Sequence, residues 1–144
     1  MLVSQILRSK GSSEVATIPP SASVQEAAEM LASKRIGAVV VSRDGNRAEG
    51  ILSERDIVAA LGRRGAVCMT GPVSDLMTAE IMTCAPDDTS DAVLERMTDG
   101  RFRHLPVVAE GRMMGLISIG DVVKARLAEL AMERAALEGM IMGH

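Results

Sequence analysis

Two serine–aspartate pairs, Ser53 with Asp56 and Ser118 with Asp121, close the same short phrase: Gly50-Ile51-Leu52-Ser53 and Gly115-Leu116-Ile117-Ser118. In each, a glycine and two aliphatics end a β-run, the serine falls where a helix N-cap is expected, and the aspartate falls in the first helical turn. The unpaired N–H groups of a new helix and its positive dipole end attract an anion, and the serine hydroxyl can donate one more hydrogen bond. A carboxylate in the same turn repels phosphate but accepts from a diol. Serine toward a phosphate and aspartate toward a ribose suit a nucleoside monophosphate better than a bare anion. The same spacing is also that of a capping box, which stabilises a helix with no ligand at all. One copy would favour the cap; recurrence of the whole phrase shifts the balance toward a ligand.

The elements that must position these pairs recur as well. Val3-Ser4-Gln5-Ile6-Leu7, a helically spaced lead-in, returns as Val73-Ser74-Asp75-Leu76-Met77. Gly11, Ser12 and Ser13 read as a loop, 15–18 as a short strand, and Ser23-Val24-Gln25-Glu26 as a capping box opening a helix to about Lys34 with Ala27, Met30 and Leu31 on its apolar face. Thr17, Pro20, Ser23 and Leu31 map at one constant offset onto Thr83, Pro86, Thr89 and Met97. A β-branched strand at 36–41, closed by turn residues at 43–46, has its counterpart at 102–107. Ile57, Val58 and Leu61 follow the first junction at helical spacing, and Val122, Val123 and Leu127 follow the second. Arg63 to Pro72 reads as the linker, and the last helix continues past Leu130, Met132 and Leu137 to end near Gly139. The expected division is therefore 1–66, 67–128 and a helical extension at 129–144. Halves of about 60 residues bury a sheet poorly alone, so they must pack together, with pseudo-twofold symmetry turning both junctions toward a shared cleft.

Composition narrows the function. With 144 residues and 47% hydrophobic content the chain has ample material for a core, and its net charge of -3 offers no basic footprint for nucleic acid. A single aromatic, Phe102, leaves no stacking platform, so a bound base would lie against aliphatics. Cys68 and Cys84 form no CxxC, and with His104 and His144 the only histidines no zinc set is expected. Neither a leader segment nor a run of about 18 apolar residues stands out, and the expectation is a cytoplasmic protein with reduced thiols and no membrane association. The eleven methionines read as aliphatic filler in a core without aromatics.

The doubled β-α-β-β-α unit with its Gly-h-h-Ser-x-x-Asp phrase, h being aliphatic, resembles a tandem pair of CBS domains, a Bateman module, from Val3 to Leu127. The resemblance implies an α/β (α+β) fold of two pseudo-twofold-related CBS units packed through their sheets. It further implies an adenosyl ligand such as AMP, ADP, ATP, NAD(H) or S-adenosylmethionine, and pairing of two modules into a flat disc. Carried over by position, Asp56 and Asp121 match the ribose-binding aspartates, and Ser53 and Ser118 match hydroxyl residues near the phosphate that are threonine in many relatives. Thr17 and Ile18, with Thr83 and Cys84, occupy the strand bordering the base; Ile36, Gly37 and Ala38, with Arg103, His104, Leu105 and Pro106, occupy the strand whose edge reads the adenine. Relatives often retain only one intact motif; here both are intact, which leaves room for two sites.

The remaining candidates divide the function classes. His104 could serve as a general base, but no serine or cysteine is tied to it in sequence, and a strand histidine more often makes a core or ligand contact. Arg101 and Arg103 alternate along one strand face, aimed at phosphates or at solvent. No G-x-G-x-x-G or P-loop supports a nucleotide-using enzyme. The leading expectation is a non-catalytic nucleotide sensor, homodimeric, whose output passes to another protein; the alternative is a ligand-free interaction module. The sites are expected to be unequal. Glu54 opposes an anion at the first junction unless Arg55 compensates, whereas Ile119 and Gly120 leave the second open, with Arg103 and His104 as added donors.

Overall fold

The computed structural model describes residues 1–11 and 15–142; Ser12 and Ser13 of the expected loop, and His144, lie outside the described residues. In chain order the elements are α1 (Val3–Ser9), β1 (Thr17–Ile18), α2 (Val24–Lys34), β2 (Ala38–Val41), β3 (Gly50–Ser53), α3 (Glu54–Arg64), two 3-10 turns (Ala66–Thr70 and Val73–Asp75), α4 (Ser90–Gly100), β4 (His104–Ala109), β5 (Arg112–Ser118) and α5 (Ile119–Ile141). This is a mixed α+β fold built twice.

In the first half β1 runs parallel to β2, and β2 antiparallel to β3. In the second half β4 and β5 form an antiparallel pair, and Cys84 bridges Val107 in parallel where β1 stands in the first half. The strands at the head of each hairpin begin later than the β-branched runs suggest. Arg35 and Arg101 explain this: each caps its helix in the left-handed conformation, with φ of 53° and 58°, and Ile36 and Phe102 donate back to Leu31 and Met97 before extended structure begins. Ser23 Oγ accepts from the Glu26 amide at 3.1 Å, but the Ser23 backbone bridges Pro72 and makes no return bond to Glu26, so only half of the expected capping box forms. α5 runs two residues past Gly139, within ordinary fraying.

The two cores exchange their lead-ins. Val3 and Ile6 of α1 are buried among Val93, Met97, Leu105, Val107, Ile117 and Val122 of the second half. Val73, with Leu76 and Met77, packs against Val24, Leu31, Val39, Leu52 and Ile57 of the first. Backbone bonds fix the exchange: the Val3 amide donates to Asp88 O at 2.9 Å, and the Val73 amide to Ala22 O at 2.7 Å. Each lead-in then lies against the glycine of the Ser-x-x-Asp phrase. A Cβ on Gly50 would stand 2.7 Å from Met77 Sδ and 2.9 Å from Thr78 O, and one on Gly115 2.8 Å from Leu7 Cδ2. These glycines serve close approach.

Candidate functional site

Each Ser-x-x-Asp junction begins where a β-hairpin delivers its second strand into a helix. Ser53 sits opposite Ala38 and Ser118 opposite His104, so each serine faces the first residue of the neighbouring strand. The first helical amide turns back to that strand: Glu54 N donates to Gly37 O at 3.0 Å and Ile119 N to Arg103 O at 2.8 Å. The third first-turn amide donates to the serine, Asp56 N to Ser53 Oγ at 3.3 Å and Asp121 N to Ser118 Oγ at 3.1 Å. The aspartates complete the box, since Asp56 Oδ2 accepts from Ser53 N at 2.9 Å and Asp121 Oδ2 from Ser118 N at 2.9 Å. Capping and cleft-lining therefore coexist: the cap holds each carboxylate at the rim of a cleft. Of the first-turn amides, Arg55 N and Gly120 N make no hydrogen bond among the described residues and remain for an anion.

Both clefts are composite. The one at Asp56 joins Ser53, Glu54 and Arg55 of the first half to Thr78, Ile81, Arg101, Phe102, Arg103 and His104 of the second, and measures about 250 Å³. The one at Asp121 joins Gly115, Leu116 and Ser118 to Leu7, Lys10, Val15, Ala16 and the stretch Lys34 to Ala38 of the first half, and measures about 860 Å³. The second lies within the roughly 300 to 1,000 Å³ of small-molecule sites, and the first just below it. Gly37 and His104 line both and form the partition; a Cβ on Gly37 would lie 3.7 Å from His104 Nε2 and 3.9 Å from Glu54 Oε1.

The electrostatics of the two clefts differ. Lys10 Nζ donates to Asp121 Oδ2 at 2.8 Å and to Leu116 O at 2.9 Å. Burial pushes the Asp121 carboxyl up, but Lys10 and the Ser118 amide outweigh it and hold the group below the ordinary aspartate range. Burial pushes the His104 imidazole below its usual value, against the pull of Asp121, so it is neutral at pH 7 with one donor and one acceptor. Cys84 is pushed up to about 12, chiefly by burial and then by Asp88, and stays a thiol. No group of three or more His, Cys, Asp or Glu side chains converges among the described residues, and no described helix is long and apolar enough to cross a membrane.

Of the residues singled out in the sequence, Ser53, Arg55, Asp56, Gly37, Arg103 and His104 meet in one cleft, and Ser118, Asp121, Ile36, Gly37, Ala38 and His104 in the other. Arg103 thus stands with Asp56, not with Asp121, because each junction faces the loop of the opposite half. Ile18, Cys84 and Leu105 lie in the cores, Pro106 accepts from the Cys84 amide, and Thr17 and Thr83 fall outside both cleft linings. The cleft opens further toward the start of the leading strand. The parallel register Thr17 to Val40 puts Val15 level with Ala38, and Val15, Ala16 and Ile81 are the wall residues there. Sequence reasoning misses Arg35 and Lys10. Arg35 carries a signal, since it recurs as Arg101 at the offset that takes Thr17 to Thr83; Lys10 carries none, because its counterpart is Glu80.

The sequence profile of the CBS domain matches residues 3–63 and again 73–128. The mitochondrial CBS domain-containing protein CBSX3 of Arabidopsis thaliana is 32% identical over 98% of this chain and 72% of its own length. The crystal structure of the CBS-domain containing protein ATU1752 from Agrobacterium tumefaciens is 44% identical with a TM-score of 0.83, covering 88% of this chain and 99% of that one. The CBS domain protein PAE2072 from Pyrobaculum aerophilum, complexed with AMP, is 31% identical with a TM-score of 0.78, covering 92% of this chain and 99% of that one. With its repeated junctions, its doubled fold and these likenesses, the chain belongs to the CBS domain family and carries two CBS domains in tandem.

Proposed function

We propose that this chain is a regulatory module that binds an adenosyl nucleotide, of the AMP, ADP, ATP, NAD(H) or S-adenosylmethionine type, and has no catalytic activity of its own. The observation that carries the reading is the composite build of the clefts: a junction carboxylate from one half faces cations from the other, Arg101 and Arg103 opposite Asp56, and Lys34 and Arg35 beside Asp121. A ligand with its ribose diol on the carboxylate and its phosphate on those cations favours one arrangement of the halves, which is how occupancy becomes a signal. The AMP complex of the Pyrobaculum relative supports an adenosyl ligand. In this reading the module is cytoplasmic and homodimeric, and an effector protein reads its state. Mass spectrometry of the small molecules released on denaturing the purified protein tests the ligand. An adenosyl compound is expected, and an empty preparation that also gives no heat with AMP, ATP, NAD or S-adenosylmethionine would count against it.

A second reading has one observation in its favour. Both serine–aspartate boxes are satisfied internally, and Asp121 is further paired with Lys10, so the junctions need no ligand to be stable. A ligand-free interaction module would give that empty preparation.

A further inference from the structure

Beyond the second domain α5 leaves the body of the protein. Its early residues are held: Val122 and Ala125 are buried, Arg126 pairs with Asp91, and Glu129 accepts from Ser90 Oγ at 3.1 Å. From Leu130 onward the helix stands in solvent with Met132, Leu137, Met140 and Ile141 exposed. An isolated helical segment of this length is marginal in water, and so many apolar side chains on it call for a cover.

Of the seven large apolar side chains that α5 exposes, five fall on one line, and Met132 and Met140 lie off it. Val123, Leu127, Leu130, Leu137 and Ile141, with Arg134 between Leu130 and Leu137, follow the alternating four- and three-residue spacing of a coiled-coil seam. All five apolar members are exposed, from 43% for Val123 to 84% for Ile141. At 3.6 residues per turn the seam is centred about 125° round the helix from the Val122, Ala125 and Glu129 face that meets the body. α5 thus has one face in use and a second, self-complementary face with nothing on it among the described residues.

Charge selects both the occupant and its direction. In a parallel pair Arg134 would meet its own copy in the seam, and Glu133 would flank Glu138 of the other chain, a like-charge contact made twice. In an antiparallel pair the layers become Leu127 with Leu137, Val123 with Ile141, and Leu130 with Arg134, while Lys124 flanks Glu138 twice. The one like-charge contact left is Glu133 with its own copy at the axis, next to both Arg134 side chains. We propose that the α5 seam docks antiparallel on the α5 of a second copy of this chain, making a closed twofold dimer. This deepens the homodimer reading above and is independent of whether nucleotide binds.

Sedimentation equilibrium and charge reversal test it. The wild-type protein should run at about twice its 15.2 kDa chain mass. Leu130→Glu with Leu137→Glu, both exposed in the single chain, should weaken association at least about a hundredfold while leaving the thermal melt of the domains in place. Lys124→Glu should weaken it several-fold, and adding Glu138→Lys should restore it. A wild-type monomer would sink the dimer altogether. A dimer that persists in the double-Glu variant would leave homodimerisation standing but move it off α5. Charge reversal without rescue would overturn the antiparallel register.

Discussion

Lys10 Nζ lies 2.8 Å from Asp121 Oδ2, and the same oxygen accepts from the Ser118 amide. An internal cation therefore occupies the carboxylate that the proposed ribose contact needs. The pair is partly exposed, with 35% and 23% of the two side chains accessible, so it is weaker than a buried one. Adenosine, which has a ribose but no phosphate, must displace Lys10 without compensation. Lys10→Met is expected to tighten adenosine at the Asp121 cleft several-fold, measured by calorimetry in an Asp56→Ala background. Weaker binding would make Lys10 a ligand contact.

In the proposed function both aspartates do two jobs, capping a helix and holding a ligand, and substitution separates them. Asp56→Ala or Asp121→Ala removes a charge-assisted bond to ligand, about 1.5 to 3 kcal/mol or roughly ten- to hundredfold in affinity, and also breaks a capping box at about 1 kcal/mol of stability. Asparagine retains an acceptor for the serine amide. Asp→Asn should thus keep most of the melting temperature and still lose binding. Equal loss of stability in both variants, with affinity unchanged, would return the carboxylates to capping alone.

His104 forms part of the wall between the clefts, with Asp121, Lys10, Arg103 and Glu54 around it. Because burial lowers its folded pKa, the unfolded chain takes up its proton first as pH falls through 6.5. Its contribution to stability is complete above that value and declines from there down to the folded pKa. NMR titration should find the ring titrating below 6.5, and moving upward when a phosphate-bearing ligand enters either cleft. A ring that titrates normally and ignores ligand would remove it from the wall.

Gly50 and Gly115 occupy matching positions with unequal room. An alanine methyl at 50 would sit 2.9 Å from the backbone oxygen of Thr78, which cannot swing aside; at 115 the obstacle is the far end of the Leu7 side chain. Overpacking of this kind costs about 1 to 3 kcal/mol. Gly50→Ala should fall at the upper end and Gly115→Ala, where Leu7 can rotate, at the lower. Denaturant melts giving the reverse order would contradict the packing described.

What the sequence made legible was local. Ser53, Ser118, Ser23 and Thr89 all cap the helices their positions implied, and the β-branched run ending at Val41 is a fully buried strand. The CBS pair followed from the recurrence of such features at a nearly constant offset, 66 residues as far as the first hairpin strand and 65 at the Ser-x-x-Asp phrase. What stayed hidden was which half supplies which wall. The offset is the same whether Arg103 faces Asp56 or Asp121, so the repeat alone could not assign it; only the packing of the halves does. The left-handed caps were hidden for another reason. Glycine is the usual residue there, and arginine at 35 and 101 gives no local sign of a turn.

The exchange of lead-ins bears on how the chain is made. A protein emerges from the ribosome at about 5 to 20 residues per second. The first core is complete once Val73 to Met77 have emerged, but Val3 and Ile6 wait for partners that extend to Ala125. For roughly 6 to 25 s, then, the α1 segment is out of the ribosome without its partners, and for the later part of that time it hangs from a finished neighbour it does not belong to. Its seven residues, too few to hold a helix alone, keep it unfolded until β4 and β5 pair, and the second domain is closed by a segment made before the first domain was.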